Sequence, residues 1–186
     1  MKRLASCILV AVSAASLAAA APAPPEPQGY RMEAFRGPTP ETLHGATVLS
    51  TAQAHDLWQK HEAVFIDVLP QPPRPVGLPA STIWRPKSRF DIPGSVWLPD
   101  TGYGALAPSM EDYFRHGLRD ASGGNPARTM VFYCLAECWM SWNAAKRALT
   151  MGYTHVAWYP EGTDGWKAHG FPEEERQPMP RPSESE

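Results

Sequence analysis

Cys134 and Cys138 stand on either side of Leu135, Ala136 and Glu137 in the stretch MVFYCLAECWMSWNAAKRA, which runs from Met130 to Ala148. The apolar residues before Cys134 predict a strand and the alanine-containing run after it predicts a helix, so Cys134 is delivered to a tight loop that opens a helix. Backbone N–H groups at a helix start are unpaired and partly positive, and a cysteine held over them has its thiolate stabilised. Two thiols this close can pair, share an oxidation state, or act as attacking and resolving partners. The competing reading is a pair of buried core cysteines, which a short polar turn between strand and helix disfavours.

The surrounding chain supplies the elements that must hold that loop. Thr47 to Leu49 reads as a short strand, and Ser50 or Thr51 caps a helix to about His61 with Ala54, Leu57 and Trp58 on one face. Val64 to Leu69 is an apolar run broken only by Asp67, the pattern of a strand covered on both faces. Ser95 to Leu98 is a further strand, Ser109 to Leu118 a helix, Met130 to Tyr133 a buried strand, Ser141 to Met151 a helix ended by Gly152, and His155 to Tyr159 the last strand. This alternation predicts an α/β fold with a central, mainly parallel sheet flanked by helices and ligands bound at the strand C-termini.

Lys2 and Arg3 precede an apolar stretch from Leu4 to Leu17 that runs into Ala18 to Ala21, the layout of a secretory signal peptide cleaved near Ala20. Export to the periplasm or beyond is therefore expected, with no membrane span once the signal is removed. Cys7 leaves with the signal, and Cys134 and Cys138 then share a compartment in which disulfides persist. Loss of Lys2 and Arg3 takes the formal charge two units below the −2 of the whole chain, which predicts no surface for nucleic acid. The expected organisation is a signal at 1–20, a proline-containing extension at 21–46, one domain at 47–174 and a disordered, proline-containing and acidic tail at 175–186.

Asp67 in VFIDV, the turn Ile92-Pro93-Gly94-Ser95, Cys134 after VFY, and Glu161-Gly162-Thr163-Asp164-Gly165-Trp166 followed by Lys167 to Pro172 together resemble the successive landmarks of a rhodanese domain. More narrowly, CLAECWMSWNAAKRA, WYPEGTDGW, IPGSVWLPDTGYG and YRMEAFRGPTP resemble the exported CxxCW-motif proteins associated with pyrroloquinoline quinone (PQQ) dependent catabolism. The resemblance implies sulfurtransferase-like chemistry with Cys134 as nucleophile: it takes the outer sulfur of a donor such as thiosulfate, holds it as a persulfide and passes it on. It further implies that the amides from Leu135 through Ala136, Glu137, Cys138, Trp139 and Met140 to Ser141 cup the transferred sulfur or a donor oxyanion. Asp67 takes the family's strand carboxylate position, with the anchoring of nearby loop amides as its expected role. A quinoprotein dehydrogenase or a cytochrome c is the partner the narrower resemblance implies, beside a small sulfur-containing substrate.

The sequence departs from that pattern in ways that bear on mechanism. Trp139 and Met140 fill the space before Ser141 where a sulfurtransferase usually carries an arginine, and Glu137 opposes both a thiolate and an anionic donor. Arg74, Arg85 and Arg89, from the insertion between Asp67 and Ile92, are the cations available to compensate. Cys138 can attack a persulfide on Cys134 and close a disulfide. Three intervening residues make the pair something other than a thioredoxin-like CxxC, and CxxCH, the c-type haem signature, does not occur. No histidine lies at ligand spacing and the loop lacks the cations a PQQ trianion needs, so neither a metal nor a cofactor is expected. Trp97, Trp142 and Trp166 read as core, whereas Trp84 and Trp139 read equally as core or as a stacking surface. Three functions stay open: sulfur transfer through Cys134, a non-catalytic accessory protein of a quinoprotein dehydrogenase system, and a thiol–disulfide oxidoreductase using Cys134 and Cys138.

Overall fold

The computed structural model describes residues 22–72, 74–79, 81–83 and 88–181. The expected signal at 1–20, Trp84, Arg85 and the tail from 182 onward lie outside the described residues. The first strand, β1 (Thr47–Val48), leads into α1 (Thr51–Gln59), whose N-terminus is closed by a reciprocal box: Ser50 Oγ accepts from the Gln53 amide and Gln53 accepts from the Ser50 amide. Then come β2 (Val64–Asp67), β3 (Arg89–Asp91), β4 (Val96–Trp97) and α2 (Pro108–Ser122), which starts on a proline and stops at Gly123 in the left-handed conformation. The second half holds β5 (Met130–Tyr133), α3 (Trp139–Thr150), β6 (Val156–Trp158), α4 (Gly162–Ala168) and β7 (Glu174–Arg176).

Five strands form one sheet in the order β1-β6-β5-β2-β4, every neighbouring pair parallel. The apolar runs of β2, which ends on Asp67, and β5 sit side by side, Asp67 level with Tyr133, and are buried on both faces as such runs require. Alternation divides the core in two. Ile66, Met130 and Phe132 face α2 and α3 with Tyr113, Phe114, Leu118 and Trp142, whereas Phe65, Val131 and Tyr133 face α1 and α4 with Ala54 and Trp166. Trp97, Trp142 and Trp166 are core residues, as expected from the sequence. Because all five strands point the same way, Asp67 and Cys134 arrive together at one edge of the sheet, opposite the N-termini of the helices that follow.

Both ends of the described chain differ from a plain leader and a disordered tail. Residues 26–46 form a strap across the outside of α3. Asn143 accepts from the Arg31 amide and donates to the Arg31 carbonyl, Trp142 Nε1 donates to Thr42 O, and Lys146 Nζ donates to Pro27 O. The tail, expected to be disordered from 175, instead pairs β7 antiparallel with β3. Met179 then donates to Trp97 O and Arg181 pairs with Asp100, so the chain is anchored as far as Arg181. Composition alone favoured disorder here; the anchors that overrule it, β3 and Trp97, lie some eighty residues away in sequence and give no local signal.

Candidate active site

Cys134 is the first residue after β5 and Cys138 is the N-cap of α3. Between them the chain curls through Glu137, a non-glycine residue at φ +50°, which brings the two Cα atoms to 6.5 Å. That separation lies within the range a disulfide spans, and Cys134 and Cys138 are disulfide-bonded. Cys134 is fully buried and Cys138 nearly so.

Two of the loop amides expected to form a cup, those of Ala136 and Trp139, are hydrogen-bonded within the protein. The Ala136 N–H donates to Asp164 Oδ2 (3.0 Å) and the Trp139 N–H to Phe35 O (2.9 Å), while Gly37 donates to Glu137 O (2.9 Å). The strap therefore adds a short antiparallel bridge to the cysteine loop, Arg36 opposite Cys138. Trp139 is fixed in the same way: its Nε1 donates to Pro38 O and the Arg31 guanidinium lies 5.2 Å from its ring. On the other side the first turn of α4 clamps the loop. Thr163 donates to the Cys134 carbonyl through its N–H (3.0 Å) and its hydroxyl (3.3 Å), and a Cβ at Gly162 would collide with that carbonyl.

Beneath the loop lies a buried charge cluster. Asp67 Oδ1 accepts from the Leu69 N–H, the anchoring role expected of it, and Asp67 Oδ2 accepts from Arg89 Nε at 2.8 Å. Asp91 is fully buried beside them; its Oδ1 accepts from the Tyr133 hydroxyl and lies 3.9 Å from Arg89. Two carboxyls thus share one guanidinium. Burial first, and the neighbouring Asp91 charge second, push the Asp67 carboxyl well above its ordinary range, against the pull of Arg89. Burial likewise pushes the Tyr133 phenol well up, so it serves Asp91 as a donor. Arg89 Nη2, the nitrogen nearest Asp91, donates to Thr163 Oγ1 at 3.3 Å.

A family model of the rhodanese-like domain matches residues 50–169, well over half the chain, and covers β2, the Cys134 loop and α4. The chain belongs to the rhodanese-like family. The rhodanese-like chain has no match among the curated proteins. Among solved structures it is similar to thiosulfate sulfurtransferase from Pseudomonas aeruginosa, with a TM-score of 0.49 and 18% identity over 75% of this chain and 22% of that one. It is also similar to the polysulfide-sulfur transferase homodimer from Wolinella succinogenes (TM-score 0.44, 18% identity, 72% of this chain and 81% of that one). A third is an uncharacterized protein from Saccharomyces cerevisiae (TM-score 0.41, 24% identity, 67% of this chain and 93% of that one). At such identities the likeness is one of fold.

Within this rhodanese-like domain the sequence-derived site residues separate by role. Leu135 borders a cavity of about 350 Å³ with Arg89, Lys167, Trp97 and Phe90, and Trp139 borders another of about 370 Å³ with Arg31 and Arg36. Ala136 and Glu137 lie on the loop's outer side, Glu137 exposed. Met140 is buried, with its backbone and Cβ packed closely enough against Gly102 to leave no room for a side chain there. Ser141 is buried as well, donating to Cys138 O and accepting from Trp158 Nε1. These two hold the helix start and do not face either cavity. Sequence reasoning missed Thr163, Asp164 and the strap residues Phe35 to Pro38 as neighbours of the cysteines. The Glu161 to Trp166 block was noticed only as a landmark, and its hydroxyl and carboxylate beside a glycine were the available signal.

Proposed function

We propose that this is an exported rhodanese-like protein that carries sulfane sulfur or oxidising equivalents on Cys134, with Cys138 as the resolving thiol, in support of PQQ-dependent alcohol catabolism. The observation that carries the reading is the Cys134–Cys138 bond at the head of β5, at the position from which the fold presents a loop to ligands. In the reduced form the Cys134 thiolate attacks the outer sulfur of a donor, forming Cys134–S–S⁻ and releasing the donor's remainder. An acceptor nucleophile takes that outer sulfur and restores the Cys134 thiolate. Without an acceptor, the Cys138 thiolate attacks Cys134 Sγ; the new bond is the disulfide, and the outer sulfur departs as hydrosulfide. The two electrons that reduce the sulfur come from the two thiols, and a dithiol reductant is needed to reopen the pair. The export and PQQ parts of the reading rest on the leader pattern and on the sequence blocks that resemble the CxxCW-motif proteins.

A second reading, a thiol–disulfide oxidoreductase, is favoured by the negative charges around the loop. Glu137 lies within it and Asp164 already occupies the Ala136 amide, an arrangement that disfavours an anionic donor. Intact-mass analysis of the reduced protein before and after thiosulfate separates the two. Sulfur transfer requires a transient gain of one sulfur that Cys134→Ser never shows and that persists in Cys138→Ser. Loss of two hydrogens with no persulfide in either form points to the oxidoreductase. Thiosulfate-to-cyanide turnover is expected to be weak, about one to two decades below that of a site with a charged donor contact; robust turnover by Cys134→Ser excludes it as the nucleophile.

A further inference from the structure

Resting on the reading of Cys134 as the reacting thiol, we propose that Thr163 is a positioning residue for Cys134, and that Arg89 acts through it. In the described structure Cys134 Sγ lies 3.7 Å from the carbonyl oxygens of both Leu135 and Cys138, whose negative ends disfavour a thiolate or a persulfide anion. A third carbonyl, that of Cys134 itself, belongs to the same residue, and Thr163 engages its negative end with two donors, its N–H and its hydroxyl.

The direction of the hydroxyl proton is what ties Arg89 to the thiol. Arg89 Nη2 can only donate, so Thr163 Oγ1 accepts from it and must aim its own proton elsewhere, at Cys134 O. Arg89 is in turn held by Asp67 Oδ2. The result is a chain from Asp67 through Arg89 and Thr163 to the Cys134 peptide, fully buried at Asp67, Thr163 and Cys134 and one-tenth exposed at the Arg89 side chain, where each donor polarises the next. A cation absent from the loop thereby acts on the loop from below. Gly162 is part of the device, because only a residue without Cβ lets Thr163 come this close.

The test is the ultraviolet thiolate titration of Cys134 in a Cys7→Ser, Cys138→Ser background, in which it is the lone thiol and no disulfide or sulfur donor is involved. Thr163→Val keeps the volume and the N–H but loses the hydroxyl; it is expected to lower the thiolate fraction below the titration midpoint about two- to tenfold, moving the midpoint upward. Thr163→Ser restores the hydroxyl and is expected to return the parental curve. Arg89→Lys retains a cation for Asp67 but lacks the second nitrogen directed at Thr163, and is expected to shift the curve in the same direction as Thr163→Val. Superimposable curves for the parent and Thr163→Val overturn the proposal. If Thr163→Val does not fold, an unshifted Arg89→Lys curve overturns it equally. Failure of thiosulfate to load sulfur onto Cys134 is a separate result, read by mass, and bears on the proposed function alone.

Discussion

Among the described residues, Arg89 is the single cation set against Asp67 and Asp91 below the cysteine loop, and its side chain is almost wholly buried. Arg89→Met leaves those carboxyls without their counter-charge, and breaking a buried pair from one side costs about 3–5 kcal/mol; denaturant unfolding of the variant measures it. The same cluster makes stability depend on pH. Asp67 holds its proton in the folded protein at pH values where the unfolded chain, with a carboxyl near 3.8, has released it. The folded state thus binds more protons, and this contribution is complete at acid pH and fades as pH rises through the elevated folded pKa. Asp67→Asn is expected to flatten that decline in stability curves taken from acid to neutral pH. At the alkaline end, burial pushes the Tyr113 and Tyr159 phenols up to about 12. Their stabilisation is intact at neutral pH and is lost between about 10 and 12, so Tyr113→Phe, followed by phenolate absorbance and unfolding, is expected to withstand that range better. Asp67 itself was legible in the sequence as a strand carboxylate; Asp91 and Arg89 were not linked to it, because β3 belongs to an insertion whose pairing partner, β7, lies far along the chain.

Among the elements, α3 is held both by the strap, outside the family-matched region, and by the loop at 101–104 within it. Asn143 alone makes three hydrogen bonds, two with Arg31 and one to Gly102 O. Arg147 ties the same helix to the Thr101, Tyr103 and Gly104 carbonyls, with no carboxylate partner among the described residues, and burial draws its pKa down. Asn143→Ala is expected to cost about 2–4 kcal/mol, since it strands buried backbone groups as well as losing bonds, and to speed reduction of the Cys134–Cys138 bond by loosening the strap above it. Thiol release under a dithiol reductant measures the second effect. The run from Met130 to Tyr133 announced β5 without ambiguity, and the helix after the cysteines was equally plain, because both signals are local and periodic. The strap was invisible for the opposite reason. Its residues have no strand or helix period, and what fixes them is a set of side chains on α3 more than a hundred positions away.

At the scale of the whole molecule the parallel sheet was predictable from alternation, yet the sequence held no cue that the chain would return after α4 to close the far side. Ending the protein at Pro172 removes β7 and the Met179 contact to Trp97, and is expected to lower stability by about 1–3 kcal/mol and to expose Trp97 to a soluble quencher. The strap has another consequence, which concerns time. Arg31 waits for Asn143, 112 positions later, before it can dock, and closing so long a loop is slow compared with bringing together two cysteines only four positions apart. As the chain emerges from its N-terminus, the thiols can therefore meet an oxidant or a sulfur donor before their cover is in place. The first described segment to be made is among the last to be seated, and until it is seated the pair lies open on that side.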